Sequence, residues 1–285
     1  MIKAIRKVLP ILGVLLFLRL MSKLNFTEFV YNLSHVPLEK ILVLIFCCWF
    51  GLIMKGIRWL IITRFVNVSK IDLLRVFYAS MFLGVITPGR LGELSKISFL
   101  KDRGIDYSIA LYLTIYDRVF DVGYLLIASL FYLSYVYDFN TTLIYSIIVF
   151  TLLFIFVQYY VAKRLIIEKI GILSSMICYG ITIISYLVFG LGFANLLVLT
   201  NNTQVALCTL SITLGNLVAL VPISIMGLGT REYVLINVLT FVPSVDIVAS
   251  SLIHLTTSVL ASLLFCSFFY SKSLFTNPKA GELSQ

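Results

Sequence analysis

Charge is scarce in this sequence. Only 12% of its residues are Asp, Glu, Lys or Arg, and it holds just two histidines, two tryptophans and six prolines. Soluble domains run at about 25% charged, so a water-soluble globular protein is excluded before any motif is read. The longest polar stretch, residues 89–107, is far too short to fold as a soluble domain of its own. No HExxH, GxSxG or P-loop pattern occurs, which removes the usual signatures of zinc hydrolysis, serine hydrolysis and ATP-driven work. The five cysteines (Cys47, Cys48, Cys178, Cys208, Cys266) lie in apolar runs with no CxxC pair and no histidine at ligand spacing, and read as packing residues. His35 and His254 offer no acid–base partner. The chain therefore reads as a non-enzyme with no metal and no cofactor.

Apolar residues, by contrast, make up 60% of the chain and its mean hydropathy is +1.05. That is an integral membrane protein, all-α, with room in 285 residues for roughly eight spans of about 20 residues. Long apolar runs lie near residues 8–24, 41–62, 108–134, 141–162, 176–200, 204–222 and 246–270. Two further segments, 72–100 and 222–242, are apolar on average but broken by proline and glycine. Residues 1–271 read as one membrane domain, and 272–285 as a short polar tail. Lys3, Arg6 and Lys7 resemble the start of a signal peptide, but no small-residue cleavage site follows, so the first run is read as an uncleaved helix.

The net charge of +9 sits on no foldable basic module, so it argues for topology and against nucleic acid. Cations crowd between the second run and the run containing Asp117 (Arg58, Arg64, Lys70, Arg75, Arg90, Lys96, Lys101, Arg103). None occurs near 138–140 or 201–203. The alternation places both termini in the cytoplasm of a cell whose inner membrane holds the protein. Because both flanks of 72–88 are basic, that segment is expected to enter the bilayer and return. The 222–242 segment is expected to cross as a short helix ending at Pro243.

Inside a bilayer, irregular backbone survives only where protein encloses it or water reaches it. Thr87-Pro88 reads as a helix start, with Thr as cap and Pro at the first helical position, and Gly89 and Gly92 allow close backbone approach. Arg90 and Glu93 follow. The second break repeats this grammar with Pro222, Gly227, Gly229, Thr230, Arg231 and Glu232. Paired breaks in the two halves of a membrane chain point to an inverted repeat with a binding site between the halves. A third feature, Asp117-Arg118 with Asp121 one turn on, puts three charges inside a span. Each costs roughly 3 kcal/mol at the bilayer centre, so the three should face the bundle interior, with Arg118 and Asp121 the expected ion pair.

The Pro88-Gly89-Arg90, Gly92-Glu93 break, the Asp117-Arg118, Asp121 helix and the Pro222, Gly227, Gly229, Arg231-Glu232 turn, in this order, resemble the lysylphosphatidylglycerol synthase transmembrane-region family, also called flippase-like membrane proteins. The likeness spans nearly the whole chain, with Asp117 where the family leads one to expect Glu and His254 where one expects Arg. It implies movement of an anionic phospholipid or a lipid-linked (polyprenyl-phosphate) head group between leaflets. In that reading Arg90, Arg118 and Arg231 meet the head group, while Glu93, Asp117, Asp121 and Glu232 hold the arginines in place. The alternative is a non-catalytic accessory subunit that docks a glycosyltransferase or other envelope-building enzyme through Lys96, Lys101 and Arg103.

Overall fold

The computed structural model describes residues 13–136, 160 and 171–275, and among these it is helical throughout, with no strand. Residues 13–21 form the described part of helix α1, followed by the short α2 (Phe26–Ser34), whose first N–H groups are capped by Asn25. Then come α3 (Leu38–Ile62), α4 (Lys70–Ile86), a 3-10 segment (Pro88–Leu94), α5 (Ser95–Lys101) and α6 (Tyr107–Val136). After the undescribed stretch follow α7 (Ile172–Leu196), α8 (Asn202–Val218), α9 (Thr230–Val238) and α10 (Ser244–Phe275). The runs expected at 41–62, 108–134, 176–200 and 246–270 are α3, α6, α7 and α10, the four described helices long and apolar enough to cross a membrane. The first run is seen from residue 13 on. The 141–162 run, except Tyr160, and the tail beyond Phe275 lie outside the described residues.

Both broken segments are hairpins. In the first, Ser69 caps α4 by accepting the Asp72 N–H at 3.1 Å, and the helix stops at Thr87, whose extended backbone precedes Pro88. The Thr87 hydroxyl donates back to the Leu83 carbonyl (2.8 Å) and accepts the Gly92 N–H (2.7 Å), closing the turn. Gly89 and Arg90 both adopt positive φ (61° and 55°), so the new segment begins as a tight irregular turn and not as the regular helix the Thr-Pro pair predicts. The chain then runs back along α4. Gly92 rests on the Leu83 carbonyl, Glu93 on Gly84, and the Lys96 ammonium lies 4.9 Å from the Phe77 ring centre.

The second hairpin differs from its expectation. The run at 204–222 is not a full span but the first arm, α8, only 17 residues long, and α9 has nine residues. Nine residues rise about 13 Å, against a hydrocarbon layer of about 30 Å, so α9 does not cross. It returns along α8, with Arg231 over Gly215 and Leu235 and Leu239 packed with Cys208 and Ile212. The turn, 219–229, contains positive φ at Met226, Gly227 and Gly229. Thr230 is not the cap: its hydroxyl donates to the Gly227 carbonyl at 3.1 Å, while Glu232 Oε2 accepts the orphan Gly229 N–H at 2.7 Å.

The two halves now match as long helix, hairpin, long helix: α3, α4/α5, α6 and α7, α8/α9, α10. Their contacts match too. α3 packs along α7 in antiparallel fashion, with Lys40 at the Leu196 end and Arg58 at Thr182. α6 lies on α8 as α10 lies on α4, and α5 meets α6 as α9 meets α10. Exchanging the halves maps each contact onto a counterpart, the pattern an inverted repeat produces. The hairpin tips touch: Gly89 sits against the Leu220 carbonyl and Pro222, where a Cβ would leave little room.

Candidate functional site

Beneath the first tip lies a buried charge network. The Arg58 guanidinium, 1% exposed, donates to Asp117 Oδ1 (2.8 and 3.0 Å), to Asp121 Oδ1 and Oδ2 (3.1 and 2.9 Å), to the Thr182 hydroxyl (2.8 Å) and to the Asp117 carbonyl (3.3 Å). Asp121 also pairs with Lys55 at 3.0 Å, and Asp117 with Lys96 at 2.5 Å. Glu93 pairs with Arg118 at 3.1 Å, with Lys96 at 3.8 Å from its other oxygen. Arg118 Nη2 donates as well to the Arg90 carbonyl at 2.9 Å, which pins the strained backbone of the tip.

This geometry corrects the expected ion pair. Arg118 reaches Glu93, not Asp121, because Asp121 faces α3 while Arg118 faces the 3-10 segment. Asp117 and Asp121 do share a buried face, as their spacing predicts, but their partners are Arg58, Lys55 and Lys96. None of those three was read from the sequence as part of a site. The signal was present as two cations, Lys55 and Arg58, three apart inside an apolar run, where each demands a counter-ion. Lys96, expected on a cytoplasmic docking face, is fully buried. Arg103, in the turn after α5, donates back to the Phe99 carbonyl, and Lys101 is exposed.

The second tip carries a smaller network. Arg231 donates to Glu232 Oε1 (2.8 and 3.2 Å), to the Ser251 hydroxyl (2.9 Å) and to the Ser251 carbonyl (2.8 Å), and Ser251 donates to Glu232 Oε1 at 2.6 Å. Gly215 leaves space for the Arg231 stem on α8.

Between the tips lies a cavity of about 70 Å³, room for several waters. Lys55, Arg90, Arg231, Tyr186, Asn216 and His254 are its main polar lining, and no carboxylate borders it. The Lys55 ammonium lies 3.9 Å from the Tyr186 ring centre, and Arg90 forms no ion pair among the described residues. Around the two tips stand six cations (Lys55, Arg58, Arg90, Lys96, Arg118, Arg231) against four carboxylates (Glu93, Asp117, Asp121, Glu232), leaving a positive surplus beside the cavity. Of the site residues expected from the sequence, Arg90 and Arg231 line the cavity. Glu93, Asp117, Asp121 and Glu232 stand behind it as partners of cations, with Arg118 paired to Glu93. On α8, Asn216 reaches the cavity, whereas Ser211 and Thr213 donate to their own helix carbonyls.

A helical bundle with four apolar helices of membrane-spanning length and two opposed hairpins is the architecture of a multi-pass membrane protein. The family model for the lysylphosphatidylglycerol synthase TM region matches residues 7–266, and the chain belongs to that family. No curated protein matches it.

Proposed function

We propose that this protein moves an anionic phospholipid or polyprenyl-phosphate head group between the leaflets of the cytoplasmic membrane, without catalysing a reaction. One observation carries the reading: Lys55, Arg90 and Arg231, from α3 and the two hairpins, line one cavity that no carboxylate enters. Lys55 and Arg231 each hold a carboxylate away from the cavity, but Arg90 forms no ion pair among the described residues. Six cations stand against four carboxylates around the tips, so a phosphate head group can supply the missing negative charge while its tails stay in lipid. The hairpin tips suit the traffic, because each closes the cavity from one side of the bundle and each is a short element that can shift against its long neighbours. Replacing two presumed crossings, 204–222 and 222–242, by one return keeps the parity of the chain, so both termini stay cytoplasmic.

The test is reconstitution in liposomes with fluorescent lipids. Leaflet exchange of phosphatidylglycerol should rise well above protein-free liposomes and above that of phosphatidylcholine. No acceleration of any anionic lipid, under any ion gradient, would remove the reading.

A further inference from the structure

Every charged group on the cavity wall is a pure donor: Lys55, Arg90 and Arg231 have no lone pair to offer. His254 on α10 breaks the pattern. It lines the same cavity and is 4% exposed. Its Nε2 lies 3.2 Å from the Phe189 carbonyl, and a carbonyl only accepts, so Nε2 carries the proton. Edge contacts with Phe189 and Phe193, at 6.2 and 5.9 Å between ring centres, hold the ring plane. In the neutral ring Nδ1 is then an acceptor, and it is buried with no hydrogen-bond partner among the described residues. Of the hydroxyls on the cavity wall, Ser258 and Ser262 donate to the backbone of their own helix and Thr87 to Leu83, and the Tyr186 hydroxyl, which has no hydrogen-bond partner among the described residues, is not bonded to Nδ1 either. A buried acceptor left unpaired is costly, so its presence beside an anion-binding wall calls for a donor.

We propose that His254 reads the ligand: the cavity takes a phosphate-bearing head group that also carries an O–H, with that hydroxyl donating to Nδ1 while the phosphate oxygens face the three cations. The inference rests on the head-group reading above and narrows it. The O–H has two chemical sources, the alcohol of a phosphodiester head group or the phosphate's own hydroxyl in a monoester.

The experiment is equilibrium competition against a fluorescent phosphatidylglycerol, with the full-length protein in phosphatidylcholine nanodiscs. The three competitors share their acyl chains. Phosphatidylglycerol carries alcohol hydroxyls, phosphatidic acid a phosphate hydroxyl, and phosphatidylmethanol no donor at all. At least one of the first two should outcompete phosphatidylmethanol by about tenfold, the scale of one hydrogen bond to a buried acceptor. Which of them wins assigns the source. In His254→Phe the preferred lipid should fall to the level of phosphatidylmethanol, and His254→Gln, which restores an acceptor oxygen, should recover most of the preference. Equal binding of all three lipids by the unaltered protein overturns the inference and needs no variant to fold. So does a preference that survives His254→Phe. If none of the three competes, both this inference and the head-group reading fall.

Discussion

Arg58 is the residue on which the interior depends. All of its N–H groups are spent on Asp117, Asp121 and Thr182, so that it ties α3 to both α6 and α7. Removing one member of a buried ionic group strands the others, which costs roughly 3–5 kcal/mol. Arg58→Leu should therefore lower the thermal unfolding midpoint of the detergent-purified protein sharply. Arg90→Gln should leave it little changed, because Arg90 forms no ion pair among the described residues. Equal midpoints for Arg58→Leu and the unaltered protein would contradict this assignment of roles. The sequence showed the carboxylates but not their partners. Asp117 and Asp121 were conspicuous because they interrupt a span, and their one-turn spacing fixed a shared face. Lys55 and Arg58 were marked only by their place inside an apolar run, and Lys96 sits in a basic cluster that positive-inside topology already explains, with nothing local to it that says it turns inward.

At the scale of the element, the hairpins depend on backbones that touch. Gly92 packs directly on the Leu83 carbonyl, a group held by its own helix and unable to yield, so a methyl there forces the two arms apart. Gly92→Ala should destabilise by about 1–3 kcal/mol, the usual penalty for overpacking. Gly180→Ala on α7, where an added Cβ meets nothing, should be neutral or slightly stabilising, since alanine favours a helix. Unfolding midpoints of the two variants side by side decide the matter, and a harmless Gly92→Ala would mean that the arms are not in contact. Proline, glycine and a threonine start made both breaks legible. The length of the second was misread because α8 is apolar on average, and hydropathy records composition without recording where a chain turns back. Only packing of α9 on α8 separates a return from a crossing.

For the molecule as a whole, the matched contacts of the two halves bring the hairpins tip to tip, and that arrangement can be checked by chemistry. A Cβ on Gly89 would lie 3.2 Å from Pro222 Cβ, close to the separation of about 3.8 Å in disulfides. With the native cysteines replaced, Gly89→Cys with Pro222→Cys should cross-link within one chain under mild oxidation and lock the hairpins together. Failure to cross-link at any oxidant strength would separate the tips. The family and the broken segments were legible in the order of the motifs, but the cavity was not, because its lining comes from six helices and two turns brought together only by the fold. The central claim is that cations at the junction of the two hairpins hold the moving anion. It is tested most directly by the leaflet-exchange rate of fluorescent phosphatidylglycerol in liposomes carrying Arg90→Gln, with its unfolding midpoint confirmed intact. A rate reduced by about tenfold or more, the loss of one charge-assisted contact, is the expected result, and a rate equal to that of the unaltered protein would contradict the account.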